Sequence, residues 1–520
     1  MSTITLRRLV TLSFALCYVL IGLPLWYKLT TIYRAPLPAE YIESLHTKIH
    51  EDIHLTIPVY VQSNLYQFPD VHDAIQAQAD ELLKSVNEEQ RRVQWSLQVL
   101  PYVEGKIDAK DDYVVTLVLD ESMGLTIPQF GKETIVFFND ESVLDNDLPF
   151  FAAQALIEHT FKFEWENFSN APQKSAKTDS TFKNMAVSYD PNIHISISLL
   201  TGDSSPVAWD IDTALKEYLT PIRELLSTFV NFTVDTGIEY HNDLNLNSLV
   251  NKSSISWNDL SHTLDLSELS SVNHYQEQNS INLAIVFPSA ETSSLEFANA
   301  TEDNTNWKSF LVPQWGVVVI NKDPLPVNAY VTHDYLASVI STFANDIFKL
   351  LGLSQSEDDL TSPLIKIDSF KRKIIIDNLE KSITTLSSLV NMTNHLQQMS
   401  IPKEVLEDVN NALKIRLQIV DLLNNPELGG DETWNEALRL SNKLVKVCER
   451  AFFHKEMVQQ TFFPQEHKVA VYLPLLGPIT VVTFTAFFKS LKEVLTKSKK
   501  CATKDDGKDD TTKNEELKAE

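Results

Sequence analysis

VAVYLPLLGPITVVTFTAFF, residues 469–488, is a run of twenty amino acids that carries no charge. As an α-helix it is about 30 Å long, which is enough to cross the hydrocarbon core of a bilayer. Pro474, Gly477 and Pro478 would break a helix in water, but a membrane helix tolerates them when its neighbours satisfy the freed carbonyl groups. We therefore interpret 469–488 as a transmembrane helix rather than as a buried helix of a soluble core.

The residues after this run indicate the direction in which it crosses. Glu493 is the one acid up to residue 500, against five lysines at 489, 492, 497, 499 and 500. An excess of basic residues beside a span marks its cytosolic side. We expect the polar stretch 489–520, which is rich in Lys, Asp and Glu, to be a disordered cytosolic tail.

A second apolar run, LVTLSFALCYVLIGLPLW at 9–26, follows Arg7 and Arg8. It is either a signal peptide or an uncleaved anchor. The run is longer than the ~7–15 apolar residues of a signal peptide, and no small-residue cleavage site follows it. An uncleaved transmembrane helix at 9–27 is therefore favoured, with residues 1–8 in the cytosol.

With both ends in the cytosol, the region between the spans, 28–468, lies on the lumenal side of the membrane. Candidate N-glycosylation sequons occur in this region and in neither tail, at Asn167, Asn231, Asn251, Asn299 and Asn391. Sequons also arise by chance in a chain rich in Asn, Ser and Thr, so this distribution supports the topology only weakly.

Residues 28–360 mix strand-like and helical patterns. Short runs with many β-branched residues predict strands covered on both faces, at 114–119, 135–138, 283–287 and 316–320. Helices predicted at 71–86, 147–161, 209–229 and 334–351 would cover them. Isoleucines alternate with polar residues over 193–199, which predicts a half-buried strand with His194 on its solvated face.

Residues 361–468 have a purely helical pattern. Apolar residues recur at helical spacing in three successive stripes, over 379–390, 406–423 and 437–451. We expect a small helical bundle here. The predicted fold class is thus a membrane protein with two transmembrane helices flanking a large lumenal α/β or α+β domain, followed by a small helical region.

Composition excludes several functions. The 520-residue chain has a formal net charge of −26 at pH 7, which repels a phosphate backbone, so nucleic acid is not an expected partner. Cys17, Cys448 and Cys501 are far apart in sequence, which excludes CxxC zinc or redox motifs. With both terminal segments in or across the membrane, Cys448 has no partner on the lumenal side, so no intrachain disulfide framework is expected. No sequence motif of a hydrolase, nucleotide-binding or metalloenzyme site is present.

Three groups of residues remain as candidates for chemistry. Cys448 lies on the third helical stripe, which favours a core cysteine over a nucleophile. The carboxylate pairs Asp210/Asp212 and Glu164/Glu166 resemble those of glycosidases, but such pairs arise by chance in an acidic chain. The spacing of histidines at 46, 50 and 54 fits a metal site less well than a solvated helix end.

Four stretches of the sequence carry a family resemblance: GLPLWYKLTTIYRAPLP (22–38), FLVPQWGVVVIN (310–321), SITTLSSLVNM (382–392) and AFFHKEMVQQTFFPQEHKVAVYLPLLGP (451–478). They resemble the PIG-S family, a subunit of the glycosylphosphatidylinositol (GPI) transamidase of the endoplasmic reticulum. The stretches extend from the first predicted span to the second, and the two-span topology agrees with the resemblance.

The resemblance implies a structural subunit that supports attachment of GPI anchors to proproteins after removal of their C-terminal signal. In that complex a different, caspase-like chain carries the Cys–His centre. The implied partners are this chain, the other transamidase subunits and membrane lipid, and no catalytic, cofactor-binding or metal-binding residue is expected. The alternative is a membrane-anchored lumenal hydrolase of the glycosidase type that uses a carboxylate pair.

Overall fold

The computed structural model describes residues 3–22, 24–25, 33–63, 70–84, 93–129, 131–144, 147–169, 189–242, 244, 246, 279–289, 307–312, 315–351, 353, 361–396, 399–425, 430–462, 474 and 477–492. The chain divides into two units. We call them the sheet unit, Lys48–Lys381 with Lys414–Val445, and the terminal unit, Met1–Thr47 with Ser382–Leu413 and Lys446–Glu520.

The first sheet of the sheet unit has five strands: β1 His54–Gln62, β2 Gln94–Pro101, β3 Tyr113–Leu119, β4 Gly124–Thr126 and β5 Glu133–Phe138. Their order is β2-β1-β3-β5-β4. All neighbours are parallel except β4, which runs antiparallel to β5. The strands predicted at 114–119 and 135–138 coincide with β3 and β5.

The second sheet also has five strands: β6 Asn192–Thr201, β8 Asn231–Tyr240, β9 Ser280–Phe287, β10 Trp307–Val312 and β11 Gly316–Asn321. Their order is β10-β11-β9-β6-β8, and only the β10–β11 pair is antiparallel. A separate parallel pair joins β7, Ala208–Trp209, to β12, Tyr330–Val331. The strands predicted at 283–287 and 316–320 fall in β9 and β11.

The prediction for His194 is wrong, because its side chain is buried. The residue lies on β6, which pairs with β8 on one side and with β9 on the other. Its Nδ1 lies 2.9 Å from the Thr233 hydroxyl, and its Nε2 lies 3.5 Å from the Asp235 carboxylate. The polar face of the strand is therefore covered at this end, which alternation in sequence does not reveal.

Helices pack against both sheets. Val71–Lys84 packs on β2 and on the helix Leu148–Gln154, and His333–Leu350 packs on β10 and β11. The predicted helices at 147–161 and 209–229 contain π-helical turns, and a further one follows the first of them. The π-helical turns are Ala155–Thr160, Trp165–Ser169 and Leu215–Leu219. The short α-helices beside them are Lys162–Glu164, Ile211–Ala214 and Thr220–Leu226. A further short helix is Asp140–Leu144.

The helical pattern predicted after residue 361 corresponds to four helices: Pro363–His395, Lys403–Asn424, Asp431–Phe452 and Lys455–Phe462. The first three each have residues in both units. Most of their apolar stripes are buried, as at Leu386, Val409 and Leu444, but Leu417 of the second stripe is exposed.

The terminal unit contains the described parts of the two apolar runs. They are the helix Thr3–Cys17, continued by the π-helical turn Tyr18–Gly22, and a helical stretch at 477–492. Ala39–Thr47 is a further helix of this unit. Within the described residues, no helix has both the length and the apolar character that crossing a membrane requires. Residues 23, 26 and 27 of the first predicted span, 469–473, 475 and 476 of the second, and 493–520 of the predicted tail lie outside the described residues.

Candidate functional site

The sheet unit contains a buried ionic cluster that includes one of the candidate carboxylates. Glu164, in the short helix Lys162–Glu164, accepts hydrogen bonds from Nε and Nη2 of Arg372, and neither side chain is exposed. Arg372 also donates through Nη1 to the Tyr113 hydroxyl at 2.9 Å, and that hydroxyl donates to Asp368 at 2.9 Å. Glu166, the other member of the predicted pair, is exposed, so the two carboxylates do not share an environment.

Lys132 extends this cluster through the loop before β5. Its Nζ lies 2.6 Å from a carboxylate oxygen of Asp368 and 2.6 Å from one of Asp431. Lys371 lies 3.2 Å from Asp368. The cluster thus balances three cations, Lys132, Lys371 and Arg372, against three anions, Glu164, Asp368 and Asp431.

The pKa shifts indicate that the Lys132–Asp368 pair remains ionised. Burial alone would lower the pKa of Lys132, but Asp368 and Asp431 outweigh it and hold that pKa above its usual value. Burial alone would raise the pKa of Asp368, but Lys132, Lys371 and Arg372 outweigh it and lower that pKa. Charges that are paired in this way have a structural role in the protein interior. Glu164 is buried among them and is not accessible to a substrate in solvent.

Sequence reasoning missed Lys132, Asp368 and Arg372. The available signal was the run IKIDSFKRKIIID at 365–377, where charged residues interrupt a helix that is apolar on all sides. Ile365, Phe370 and Ile375 are all buried there, so charges between them must find buried partners.

The second carboxylate pair is likewise held by local contacts. The Thr213 hydroxyl donates to Asp210 at 2.7 Å, and His333 Nδ1 lies 3.2 Å from the other Asp210 oxygen. The hydrogen bond from Thr213 and the neighbouring His333 lower the pKa of Asp210. A carboxyl group with a lowered pKa stays deprotonated, so it is poorly suited to the general-acid role of a glycosidase. Asp212 is exposed.

Cys448 is a core residue, as predicted. It is fully buried in the helix Asp431–Phe452, and burial raises the pKa of its thiol to about 12. The thiolate is the nucleophilic form of cysteine, so a raised pKa opposes nucleophilic chemistry at neutral pH.

The three spaced histidines do not share a helix. The helix that contains His46 ends at Thr47, and His54 begins β1. His50 Nε2 lies 3.5 Å from the Glu380 carboxylate. No group of three or more His, Cys, Asp or Glu side chains among the described residues is arranged to hold a metal ion.

The described sequons differ in exposure. Asn231, at the start of β8, and Asn391, on the helix Pro363–His395, are exposed. Asn167 is half-buried, and its amide donates to the Phe163 carbonyl at 2.9 Å. Asn251 and Asn299 lie outside the described residues.

In the terminal unit, the segment after the first apolar run is fastened to the end of a helix by Arg34. Its guanidinium donates to the carbonyls of Thr393 at 2.7 Å, Leu396 at 3.0 Å and Met399 at 3.2 Å. Ile401 exchanges backbone hydrogen bonds of 3.0 Å with the residues on either side of Arg34. A guanidinium at the C-terminal end of a helix satisfies its last carbonyls and complements its dipole.

The described parts of the two apolar runs contact each other in antiparallel orientation. The Tyr18 and Thr480 hydroxyls are 2.7 Å apart, and the Thr11 and Ser490 hydroxyls are 3.2 Å apart. Hydrogen bonds between side chains are a recognised means of holding membrane helices together. This contact and the Arg34 contact are both internal to the chain and hold distant segments of the terminal unit together.

The family model and the relatives that this chain resembles all point to one protein family. The family model for phosphatidylinositol-glycan biosynthesis class S proteins (PIG-S) matches residues 13–497. The GPI transamidase component GPI17 of Saccharomyces cerevisiae is 54% identical over 515 residues, covering 97% of this chain and 95% of the relative.

More distant relatives carry similar names. The GPI transamidase component PIG-S homolog of Schizosaccharomyces pombe is 26% identical, covering 95% of this chain and 86% of its own. The GPI-anchor transamidase component PIGS of Homo sapiens is 24% identical, covering 93% and 94%. Because the family model and these relatives extend over nearly the whole chain, the chain belongs to the PIG-S family.

Proposed function

We propose that this chain acts in the GPI transamidase as a structural subunit that supports GPI attachment without contributing a catalytic residue. Its relatives are named as GPI transamidase components. The main observation in favour of a non-catalytic role concerns Cys448. Its side chain is fully buried, and burial raises the pKa of its thiol to about 12. A thioester-forming nucleophile needs an accessible thiolate.

The proposed topology follows from the sequence. Two spans, 9–27 and 469–488, anchor the chain in the endoplasmic reticulum membrane, with both termini in the cytosol and the bulk of the chain in the lumen. The antiparallel hydroxyl contacts between Tyr18 and Thr480 and between Thr11 and Ser490 support this arrangement. Antiparallel helices are what two spans with both termini on one side require.

The proposed partners are the other transamidase subunits, among them a caspase-like chain that supplies the Cys–His centre, together with membrane lipid. The hydrolase alternative draws no support from the carboxylate pairs. Glu164 is sealed by Arg372, and Asp210 is bound by Thr213 and His333.

The test is to supply Cys448→Ala as the sole copy of this chain in cells. We expect GPI attachment to surface proteins to remain near the wild-type level, with the variant recovered in normal amount with the other subunits. A packing loss on the order of 1 kcal/mol is expected, because the substitution removes a single sulfur atom from the core.

Arg372→Ala serves as a structural control, since it should lower chain abundance and GPI attachment in parallel. Attachment lost in Cys448→Ala while abundance and assembly stay normal would make Cys448 a nucleophile and the proposal wrong. Reaction of the native chain with a thiol reagent at neutral pH gives a second readout, in a Cys17→Ser/Cys501→Ser background. The buried thiol should react only after denaturation.

A further inference from the structure

The strand β8 forms one edge of the second sheet, beyond β6. It has ten residues, whereas the other edge strands of the two five-stranded sheets, β2, β4 and β10, have eight, three and six. Phe232 is its one buried residue. Its sequence, NFTVDTGIEY, lacks Pro and Lys, which commonly protect an exposed edge. β8 is therefore a long, exposed edge that is open to pairing with a further strand.

The backbone groups on the outer side of β8 form a row without a strand partner. The Asn231 N–H donates to the Pro191 carbonyl on the side of β6, so the backbone groups of the even-numbered residues face away from β6. Arg223 Nη2 covers the first of them, the Phe232 carbonyl, at 2.9 Å. Among the described residues, no group bonds to the outward N–H and C=O groups at 234, 236 and 238. An extended peptide backbone is the ligand that matches such a row.

The two faces of β8 indicate which side chains that peptide carries. Val234 and Ile238 lie half-buried on the apolar face, whereas Asp235 and Glu239 lie on the polar face. The Asp235 side chain is 56% exposed. Neither carboxylate forms an ion pair with a Lys or Arg among the described residues. Opposite charges stabilise a cross-strand pair, so the best match is a strand with apolar residues on one face and basic residues on the other.

Charge argues against a second copy of this chain as the added strand. If two β8 strands paired in antiparallel orientation about Gly237, Asp235 of each copy would lie opposite Glu239 of the other. Like charges that lie directly opposite destabilise a strand pair. The stretch at 247–278 of the same chain is also a poor match, because it has four acids and one lysine.

We propose that β8 is the surface on which an extended segment of another transamidase subunit adds a strand to the second sheet. The backbone of that segment binds the outward groups of Val234, Thr236 and Ile238, and its Lys or Arg side chains lie opposite Asp235 and Glu239. The inference rests on the proposed function, which supplies the partner subunits. It deepens that function by naming the surface and the chemistry of the segment that binds there.

The sequon at the start of β8 is compatible with this surface. The Asn231 side chain lies on the polar face of the sheet, where its amide is 3.4 Å from the Asn192 side-chain oxygen. It precedes Val234 by three residues, which is about 10 Å along a strand. A glycan at Asn231 therefore extends from the face of the sheet and not from its bonding edge.

The experiment uses the complex purified from cells in which this chain is the sole copy and carries p-benzoylphenylalanine in place of Tyr240. Tyr240 is an exposed aromatic residue at the end of β8, with 43% of its surface accessible. Irradiation links the photoreactive group to the adjacent segment, and mass spectrometry of the peptides identifies that segment. The same group in place of Phe150, which is 46% exposed on the helix Leu148–Gln154, is the matched control. We expect position 240, and not position 150, to link to a Lys- or Arg-containing segment of another subunit.

A matched pair of variants at Thr236 tests the backbone pairing. Thr236→Pro removes an outward N–H while leaving the bonds to β6, because proline is tolerated at an edge position whose N–H faces solvent. Thr236→Ala keeps that N–H. We expect Thr236→Pro to reduce the yield of the cross-link from position 240 by about tenfold or more, and Thr236→Ala to leave it within about twofold.

A charge variant tests the polar face without changing the backbone. Asp235→Lys/Glu239→Lys places basic residues opposite the basic side chains of the added strand, so the yield of the cross-link should fall by about fivefold. Circular dichroism checks that each variant keeps the wild-type secondary structure. If Thr236→Pro does not fold, the charge variant decides the question.

Three results would overturn the inference. The first is a cross-link from position 240 to a second copy or to this chain itself, for example to the stretch 170–188, which has three lysines and one acid. The second is an equal yield from Thr236→Pro, the charge variant and the wild type. The third is the absence of a cross-link in a complex that retains the other subunits, which leaves the proposed function intact. A wild-type preparation without other subunits overturns the proposed function and this inference with it.

Discussion

At the scale of the residue, the buried ionic cluster is the most consequential feature of the sheet unit. Removing two charges from water costs several kcal/mol each, and their attraction compensates only when every partner is present. Arg372 meets this condition through Glu164 and Tyr113, and its guanidinium also lies 5.3 Å from the Trp434 ring centre. Loss of one member therefore leaves an uncompensated charge in the interior.

We predict that Arg372→Ala lowers the free energy of unfolding by about 3–5 kcal/mol, because it leaves Glu164 buried without its cation. Arg439→Ala is the matched control. Arg439 forms a salt bridge with Glu436 on the protein surface, so its loss should cost less than about 1 kcal/mol. Denaturant unfolding of the purified chains measures both values, and equal losses for the two variants would contradict a structural role for the cluster.

Sequence reasoning at this scale succeeded where the signal was local. Helical spacing placed Cys448 in the core, where the structure has it. It failed where the partner is distant: Glu164 is 208 residues from Arg372, and no local pattern pairs them. His194 was misassigned for the same reason, because the side chains that cover it come from β8.

At the scale of the element, the second sheet depends on a close approach between neighbouring strands. Gly316 begins β11 with φ +147°, and a Cβ atom there would lie 2.0 Å from the backbone oxygen of Asn282 on β9. Because backbone atoms cannot yield to a side chain, only glycine fits this position.

We predict that Gly316→Ala lowers the free energy of unfolding by at least about 2 kcal/mol, through backbone strain and displacement of β9. Gly237→Ala on the edge strand β8 is the control. A Cβ atom at Gly237 meets nothing within 4 Å, so its effect should stay within about 0.5 kcal/mol. The denaturant midpoints of the two variants measure both effects. If Gly316→Ala were as stable as the wild type, strands β9 and β11 could move apart to accept a side chain at this position.

Apolar and β-branched runs were sufficient to locate β3, β5, β9 and β11. The π-helical turns were not predictable from periodicity. Pro221 offers one physical reason, since it has no N–H for the carbonyl one turn earlier and disturbs the regular bonding of the predicted helix at 209–229. The structure has the π-helical turn Leu215–Leu219 just before it.

At the scale of the whole molecule, family membership was predictable and the grouping of the chain into units was not. The stretches that carry the resemblance are local, whereas each unit is assembled from segments hundreds of residues apart. The structural role of residues within the resemblance stretches also depends on distant contacts. The YRA of residues 33–35 is an example, since Arg34 caps carbonyls at 393, 396 and 399.

The proposed lumenal position of 28–468 leads to a prediction about glycans that separates the described sequons. Asn231 and Asn391 are exposed, so a glycan there is compatible with the fold. At Asn167 a glycan would displace the hydrogen bond that the half-buried side-chain amide donates to the Phe163 carbonyl at 2.9 Å. Chains glycosylated at Asn167 should therefore fail to fold.

We predict that Asn231→Gln and Asn391→Gln each increase the electrophoretic mobility of the mature chain by one glycan, whereas Asn167→Gln leaves it unchanged. Removal of all N-glycans with an endoglycosidase should bring every variant to the same mobility, which controls for effects of the substitutions themselves. A glycan at Asn167 in the folded chain would mean that the hydrogen bond from Asn167 to the Phe163 carbonyl is dispensable. A wild-type chain whose mobility does not respond to the enzyme would argue against a lumenal 28–468, because the glycosylation machinery would then never have met these sequons.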